Sequence, residues 1–293
     1  MAKATGILKQ ALHARRAMIV PGAPNALFAR IIADLGFEAV YVTGAGLANM
    51  RFGLPDIGLT TLTELVQTTA EIADSTDLPL IVDMDTGFGN PLNVVRALRM
   101  LERAGAAAVQ IEDQVFPKKC GHFQGKAVIP AAEMIDKIKA AVDTRRDHDL
   151  QIIARSDARA CEGLPAAIDR AAAYLEAGAD ASFVEAPASA EELAQIARSL
   201  PAPQIANIVH GGRTPDPGQA ALAQMGFGAV LYANAALQAA MHGAQQVLGL
   251  LKTQGSLAGG AALLAGFDDR QRMVGKPHWD ALEARFAAKG APD

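Results

Sequence analysis

The feature that most constrains the fold of this chain is a short unit that recurs along it. Each copy contains, in order, the end of a predicted helix, a glycine, an apolar run and a polar residue. The copies are "ADLGFEAVYVTG" (33–44), "ERAGAAAVQIED" (102–113), "EAGADASFVEA" (176–186) and "AQMGFGAVLYAN" (223–234). Glycine commonly ends helices, and a continuous apolar run is typical of a strand buried on both faces. The repeat therefore predicts successive helix-to-strand connections.

Four further apolar runs complete the pattern: "AMIVPG" (17–22), "LPLIVDMD" (78–85), "LQIIARSDA" (150–158) and "PQIANIV" (203–209). Eight short strands separated by helical segments predict an α/β fold, a (β/α)8 TIM barrel over residues 1–255. An open doubly wound sheet is the alternative, but no GxGxxG sequence follows a strand. Residues 256–293 do not repeat the unit. They predict a helical tail, with Trp279 on an amphipathic helix, that packs on a partner subunit.

The charge balance and the cysteine count bear on the class of protein. The 293 residues carry a net charge of −4, and 20% of them are charged, so no basic face is indicated. Neither a nucleic acid nor an anionic membrane is therefore predicted as a partner. Two cysteines cannot build a disulfide framework, and no apolar run approaches the roughly 20 residues of a membrane helix. These observations predict a cytoplasmic protein.

Polar residues gather at the carboxyl ends of the predicted strands, where barrel enzymes place their chemistry. Any single one could be a helix cap, but several strands agree. The residues are Thr43 to Gly46, Asp83, Asp85, Glu112, Asp113, Gln114, Arg155, Asp157, Glu185 and Asn207. Several acids in one pocket repel each other unless a cation joins them, and oxygen donors favour Mg²⁺ or Mn²⁺. With Arg155 as a fork for a carboxylate, the pattern indicates a metal-assisted enzyme for a small anionic acid.

The segment "PKKCGHFQGK", Pro117 to Lys126, places Cys120 among three lysines and His122. Neighbouring cations lower the pKa of a thiol, so Cys120 is predicted to exchange protons near neutral pH as a general acid or base. A nucleophilic Cys120 with His122 as its base, and a zinc-binding Cys-x-His pair, are the alternatives. Gly121 and Gly125 would let this segment move as a lid over a substrate.

Several motifs together resemble the isocitrate lyase/phosphoenolpyruvate mutase superfamily over about residues 8 to 290. They are, in chain order, "VDMDTGFGNPLNV", "IEDQVFPKKCGH", "ARSDA", "FVEAP" and "ANIV". Within the superfamily, "GLPDIGLTTLTE", "PKKCGHFQGKAV" and "EAGADASFVEAPA" resemble the group of 2,3-dimethylmalate lyase and petal death protein. The resemblance implies a barrel whose last helix is swapped onto a neighbouring subunit, in a homotetramer.

The resemblance also implies roles for individual residues. Mg²⁺ is expected at Asp83 and Asp85, with Asp56 and Glu112 acting through water. Cys120 would protonate the carbanion that departs, and Arg155 would clamp a carboxylate. The positions implied in substrate binding or beside it are Tyr41, Thr43, Gly44, Ala45, Gly121, His122, Glu185, Asn207 and His210. The base that takes the hydroxyl proton is open between Tyr41, Glu185 and a hydroxide on the metal.

The activity implied by the resemblance is a Mg²⁺-dependent carbon–carbon lyase that splits a 2-hydroxy dicarboxylate, such as 2,3-dimethylmalate, into pyruvate and a second carboxylate. His210 stands where close relatives carry a glutamate, and Gln238 stands where methylisocitrate lyases carry an arginine. A dicarboxylate is therefore expected in preference to a tricarboxylate. The alternatives are an oxaloacetate decarboxylase, a methylisocitrate lyase, a phosphonopyruvate-type hydrolase and, outside catalysis, a metabolite-binding barrel.

Overall fold

A computed structural model of the chain describes residues 3–119, 121 and 125–287. Its strands form a closed parallel barrel in chain order, in which β1 also pairs with β8 through Met18 opposite Ala229. The strands are β1 (Met18–Ala23), β2 (Val40–Val42), β3 (Leu80–Asp83), β4 (Ala106–Glu112), β5 (Gln151–Ser156), β6 (Ala181–Val184), β7 (Gln204–Asn207) and β8 (Phe227–Tyr232). Seven of them lie within the predicted runs, and β1 extends one residue beyond its run, to Ala23. The predicted (β/α)8 barrel is confirmed.

Helices follow the strands around the barrel. They are α1 (Ala4–His13), α2 (Ala26–Asp34), α3 (Gly44–Phe52), α4 (Leu62–Ala73), α5 (Pro91–Arg103), α6 (Ala131–Thr144), α7 (Ala158–Cys161), α8 (Leu164–Glu176), α9 (Ala190–Ser199), α10 (Gln219–Met225), α11 (Ala235–Gln254), α12 (Phe267–Met273) and α13 (Lys276–Phe286), with a 3₁₀ turn at Ala261–Leu263. None of those within the described ranges is long and apolar enough to cross a membrane.

Local sequence signals explain where several helices begin. Helix α4 starts with a reciprocal capping box. The side chain of Thr61 accepts from the backbone N–H of Glu64, and the side chain of Glu64 accepts from the backbone N–H of Thr61. Helix α5 starts with Asn90 as its cap and Pro91 in its first turn, where the missing N–H of proline costs nothing. These caps fix the points at which the chain leaves each loop at the carboxyl end of the barrel.

The alternation of side chains along each strand decides which residues reach the barrel interior. Val40 and Val42 pack outward against the helices, whereas Tyr41 packs inward. Ile81, Ile153 and Phe183 also belong to the inner core. The residues two positions further on therefore face inward at the carboxyl ends of their strands. Those residues are Asp83, Arg155 and Glu185.

The chain divides into two compact units, residues 1–237 and 238–293. The second unit contains most of α11, the 3₁₀ turn, α12 and α13, and its helix α13 covers much of the segment predicted from "HWDALEARFAAK". Phe267, Trp279 and Phe286 of this unit are all more than 60% exposed. The predicted boundary at residue 255 and the predicted exchange of the tail between subunits stay predictions.

Candidate active site

A cavity opens at the carboxyl end of the barrel, with an empty volume of about 430 Å³ that includes part of its solvent-filled mouth. Most of the predicted site residues line it, namely Tyr41, Thr43, Ala45, Asp56, Asp83, Gly121, Arg155 and Asn207. Further lining residues were not predicted from the sequence: Lys118, Val209, Leu231, Ala233 and Asn234. Asp83, Lys118 and Arg155 belong to or follow β3, β4 and β5, whereas Val209, Leu231 and Ala233 belong to or follow β7 and β8, across the barrel. The cavity is therefore charged on one side and partly apolar on the other.

The remaining predicted residues fall into four groups. Asp85, Glu112 and Glu185 are buried around the cavity. Gly44 lies against the acids, since a side chain at this position would come within 3.1 Å of Asp83 Oδ2. His210 is exposed and is not part of the cavity lining that the described residues form. Cys120 and His122 lie outside the described residues, so their predicted roles stay predictions.

Lys118 holds two of the predicted metal-binding acids. Its Nζ atom lies 2.8 Å from Asp85 Oδ1 and also donates to the carboxylate of Asp56. Asp83 Oδ1 in turn accepts hydrogen bonds from the backbone N–H of Asp85 at 3.2 Å and from Gln110 Nε2 at 3.3 Å. The acids therefore form one connected group with a cation already among them, and sequence analysis had assigned that lysine only as a neighbour of Cys120.

The backbone of Asp85 adopts the left-handed conformation, with a φ of 48°. Few residues other than glycine adopt this conformation without cost, and it persists where the surroundings over-determine it. Here the N–H group of Asp85 is held by Asp83, and its carbonyl accepts from the backbone N–H of Glu112 at 2.9 Å. The two neighbouring strand ends thus fix the direction of the Asp85 side chain.

Burial changes the protonation of these groups. Desolvation raises the pKa of Asp85 to about 6, although Lys118 opposes the shift. Desolvation likewise raises the pKa of Glu112 well above its usual value, with Arg155 opposing. Burial acts to lower the pKa of Lys118, but the carboxylates of Asp85 and Asp56 outweigh it and raise the pKa. Lys118 therefore keeps its charge at neutral pH, whereas burial favours the neutral forms of Asp85 and Glu112.

The donor set fits a hard divalent cation. Glu112 Oε1 is buried and has no hydrogen-bond partner among the described residues, and Asp83 and Asp85 present further carboxylate oxygens beside it. Within the same ranges, no three His, Cys, Asp or Glu side chains converge as a ready-made metal cluster. Mg²⁺ usually takes one or two carboxylates and keeps several waters, so an arrangement of this kind suits it.

Arg155 is buried and surrounded by carboxylates. Its Nε and Nη2 atoms donate to the two oxygens of Asp157 at 2.9 and 3.2 Å, and Glu112 and Glu185 lie at 3.4 and 3.5 Å. Burial acts to lower the pKa of Arg155, but these acids, Asp157 first, outweigh it and raise the pKa. The guanidinium plane lies over Phe183, 5.1 Å from the ring centroid. Arg155 is therefore charged and held in one orientation at the cavity wall.

Tyr41 donates its phenolic proton to Gln110 Oε1 at 2.7 Å. Burial, assisted by the charge of Asp83, raises the pKa of Tyr41 well above 10. A tyrosine with a raised pKa keeps its proton at neutral pH and is a poor proton acceptor. Of the two side chains left open as the base, Tyr41 is disfavoured by its raised pKa.

Replacing Tyr41 with phenylalanine is expected to lower kcat/KM by less than about tenfold, because only one hydrogen bond is lost. Loss of a general base would cost about 10²–10⁴-fold instead. The measurement is kcat/KM from pH 6 to 9 with the preferred substrate. Tyr232→Phe is the control, since Tyr232 bonds to Asp216 and does not line the cavity. A loss above 10²-fold for Tyr41→Phe alone would restore Tyr41 as the base.

The fold agrees with the comparison to known families. The model of the phosphoenolpyruvate phosphomutase family matches residues 8–251. The chain belongs to this phosphoenolpyruvate mutase/isocitrate lyase family, and the resemblance read from the motifs is confirmed.

The chain is similar over most of its length to named relatives. It is 40% identical to 2,3-dimethylmalate lyase of Eubacterium barkeri over 96% of this chain and 97% of that protein. It is 41% identical to the petal death protein of Dianthus caryophyllus, over 92% of this chain and 85% of the relative. It is also 41% identical to a 2-methylisocitrate lyase of Shewanella oneidensis, over 87% and 88% of the two chains.

Solved structures superpose on nearly the whole chain. The crystal structure of 2,3-dimethylmalate lyase matches with a TM-score of 0.91 and 32% identity, covering 100% of this chain and 99% of the other. Phosphonopyruvate hydrolase in complex with oxalate and Mg²⁺ matches with a TM-score of 0.89 and 29% identity, covering 98% and 100%. The predicted similarity to the 2,3-dimethylmalate lyase group is therefore confirmed, and both neighbours share the barrel.

Proposed function

We propose that the protein is a Mg²⁺-dependent carbon–carbon lyase that cleaves a 2-alkylmalate such as 2,3-dimethylmalate to pyruvate and a second carboxylate. The observation that carries the proposal is the two-sided cavity. Asp83, Lys118 and Arg155 line its charged side, and Val209 and Leu231 supply apolar surface. The first side suits carboxylates and a metal ion, and the second suits alkyl groups. The similarity to 2,3-dimethylmalate lyase over nearly both full lengths supports the same substrate class.

Two parts of the cavity are suited to bind carboxylates. The fork of Arg155 presents charged N–H donors from β5. The N-terminus of α3 presents backbone N–H groups at Gly44 and Ala45, and its cap, Thr43, accepts from Gly46 N at 3.2 Å. A helix N-terminus attracts anions, because its N–H groups and dipole both point at the ligand. A diacid could thus be held at both ends across the cavity.

Asp83 and Asp85 would hold Mg²⁺ directly, and Asp56 and Glu112 would hold its waters. A structural neighbour was crystallised with oxalate and Mg²⁺, which supports a divalent ion in this fold. When bound, the ion supplies Lewis-acid stabilisation of the negative charge that develops on the pyruvate half. Lys118, as a buried cation at neutral pH, would add to the same stabilisation.

The proton transfers are assigned to the chain's own residues. Glu185 would take the proton of the 2-hydroxyl group, since it lies beside Arg155 and accepts from Asn207 Nδ2 at 3.3 Å. The C2–C3 bond then breaks, and its electron pair stays on C3 of the departing carboxylate. Cys120 would deliver its thiol proton to C3, forming the new C–H bond and leaving a thiolate. Glu185 returns its proton to the thiolate through solvent before the next turnover.

The experiment is a pyruvate-coupled screen over malate, citramalate, 2,3-dimethylmalate, oxaloacetate and 2-methylisocitrate, with Mg²⁺ or with EDTA. We expect the highest kcat/KM for a 2-alkylmalate, and a loss of more than about 10³-fold in EDTA that Mg²⁺ reverses. Activity that survives EDTA treatment and extensive dialysis would contradict the metal assignment. Absence of cleavage for every acid, with no Mg²⁺ binding by calorimetry, would favour a binding barrel instead.

Cleavage of 2-methylisocitrate is the second candidate, because relatives that are 41% identical carry that name. Gln238 in place of an arginine argues against a third carboxylate in the site. The same screen separates the two, since a tricarboxylate lyase would prefer 2-methylisocitrate to 2,3-dimethylmalate. Oxaloacetate turnover and phosphate release from phosphonopyruvate distinguish the decarboxylase and hydrolase activities of the same family.

A further inference from the structure

The segment that carries Cys120 leaves the barrel after β4 and returns before α6. Its two ends are paired: Val115 N donates to Ala127 O at 2.9 Å, and Ile129 N donates to Asp113 O at 2.8 Å. Between these ends, side chains of the described residues add further contacts, among them the Gln114 amide, which bonds to the backbone of Lys119 at 2.8 and 2.9 Å. The side chains of Lys118, Lys119 and Lys126 also make contacts, and Lys126 connects the segment to Asp157, beside Arg155.

Lys126 makes that connection. Its Nζ atom donates to the carbonyl oxygen of Gly121 at 2.5 Å and to Asp157 Oδ1 at 2.5 Å. The side chains of Lys126 and Asp157 are only 1% and 0% exposed. A buried ammonium group is costly unless its donors are satisfied, so this geometry is strongly preferred. Lys119, by contrast, bonds to Gly125 O within the segment and remains exposed.

The two acceptors of Lys126 belong to different parts of the site. Asp157 is the carboxylate that orients both donor nitrogens of Arg155. Gly121 immediately follows Cys120 in the chain and packs directly on Arg155 and Glu185. A side chain at Gly121 would come within 2.5 Å of Arg155 Nη2 and 2.7 Å of Glu185 Cδ. One ammonium group therefore links the backbone beside the thiol to the carboxylate behind the arginine.

We propose that Lys126 is a positioning residue for the lyase reaction, through which the backbone next to Cys120 and the Asp157–Arg155 pair are held in a common geometry. The inference rests on the proposed function, because the role of Lys126 is to place the proton donor against the group that holds the substrate. Lys126 is not among the described residues that line the cavity, and its ammonium group is connected to the site through Gly121 and Asp157.

Removing the ammonium group should affect the chemical step more than binding. In Lys126→Met, Asp157 keeps both bonds from Arg155, so the carboxylate clamp persists and KM is expected to change less than threefold. The carbonyl of Gly121 loses its donor, so the backbone that follows Cys120 is expected to be held less firmly, although the Gln114 amide still bonds to the backbone of Lys119. A misplacement of about 1 Å can cost about 10²-fold in rate, so kcat is expected to fall by about 10- to 100-fold.

The test compares Lys126→Met and Lys126→Arg with Lys139→Met in a Cys161→Ser background. Lys139 is an exposed lysine on α6, and its replacement removes the same charge. With 2,3-dimethylmalate and Mg²⁺, we expect a lower kcat for Lys126→Met, partial recovery for Lys126→Arg and no change for Lys139→Met. The limiting rate of Cys120 alkylation by iodoacetamide at high pH is expected to rise several-fold only in Lys126→Met.

An unchanged kcat in Lys126→Met, or a loss in melting temperature with normal kcat and normal alkylation, would overturn the proposal and leave a purely structural ion pair. An equal loss in Lys139→Met would overturn it as well. The alkylation comparison needs no turnover, so it still tests the link at Lys126 if the parent protein cleaves none of the acids in the screen. Absence of cleavage for every acid in the screen would refute the proposed function, whatever the alkylation comparison shows.

Discussion

Replacing Arg155 with lysine is expected to lower kcat/KM by about 10²–10³-fold. Lysine keeps the charge but lacks the planar fork, so it cannot bond to both oxygens of Asp157 and also face a substrate carboxylate. The loss should appear in KM as well as in kcat, because the same group binds and orients the diacid. The measurement is steady-state kinetics with 2,3-dimethylmalate, together with Mg²⁺ affinity by calorimetry, which is expected to stay within threefold.

Arg159 offers a matched control for this substitution. Its Nε and Nη2 atoms bond to the two oxygens of Glu192 at 3.0 and 2.8 Å, which reproduces the fork geometry of Arg155 outside the cavity lining. Arg159→Lys should therefore leave kcat/KM unchanged. If both variants lose activity equally, the effect is structural, and Arg155 is not the carboxylate clamp.

Replacing Cys120 with serine is expected to lower kcat by about 10²–10⁴-fold, which is the usual contribution of a general acid. Serine is nearly isosteric, but its hydroxyl group is a far weaker acid than a thiol, so it protonates the departing carbanion poorly. Substrate binding should change little, because the proton is needed only after the C2–C3 bond begins to break. The measurement is kcat and KM for 2,3-dimethylmalate.

Cys161→Ser is the control, because Cys161 is the other cysteine of the chain and, among the described residues, its thiol bonds to the backbone carbonyls of Lys126 and Asp157, which a serine hydroxyl can also do. It should retain the activity of the parent protein. Wild-type kcat in Cys120→Ser would refute the role of the thiol as proton donor. A rise in KM with unchanged kcat would assign Cys120 to binding instead of proton transfer.

The fold could be predicted from the sequence because the barrel repeats one local pattern. The apolar runs gave all eight strands, and the polar residues at their ends converge because parallel strands in a closed barrel point the same way. The inward direction of Asp83 and Arg155 also follows from counting by two from Ile81 and Ile153. These inferences need only local spacing, which the sequence contains in full.

The ion pairs of the lysines could not be predicted in the same way. Lys118 bonds to Asp56, which is 62 positions away, and Lys126 bonds to Asp157, which is 31 positions away. No periodicity relates such pairs, so the cluster of lysines was read only as a set of charges around a thiol. The direction in which a loop side chain points also depends on residues far away in the chain. His210 was predicted to lie near the substrate, but it is not among the described residues that line the cavity.

Gln110 was missed although its sequence carries a signal. It interrupts the apolar run "AAAVQIED" and therefore had to lie inside the barrel, where a polar side chain needs partners. Its amide connects Tyr41 to Asp83 across neighbouring strands. A polar residue within an otherwise apolar parallel strand thus indicates a site residue, as the acids at the strand ends do.

The acids around the cavity outnumber its cations among the described residues. The acids are Asp56, Asp83, Asp85, Glu112, Asp157 and Glu185, and the cations are Lys118, Lys126 and Arg155. The doubly negative substrate proposed above would meet repulsion from those acids that stay ionised until a divalent ion had entered. Metal and diacid should consequently raise each other's affinity by the same factor, as thermodynamic linkage requires. The free concentration of the ion would then regulate how much of the protein is loaded, even when its organic acid is abundant.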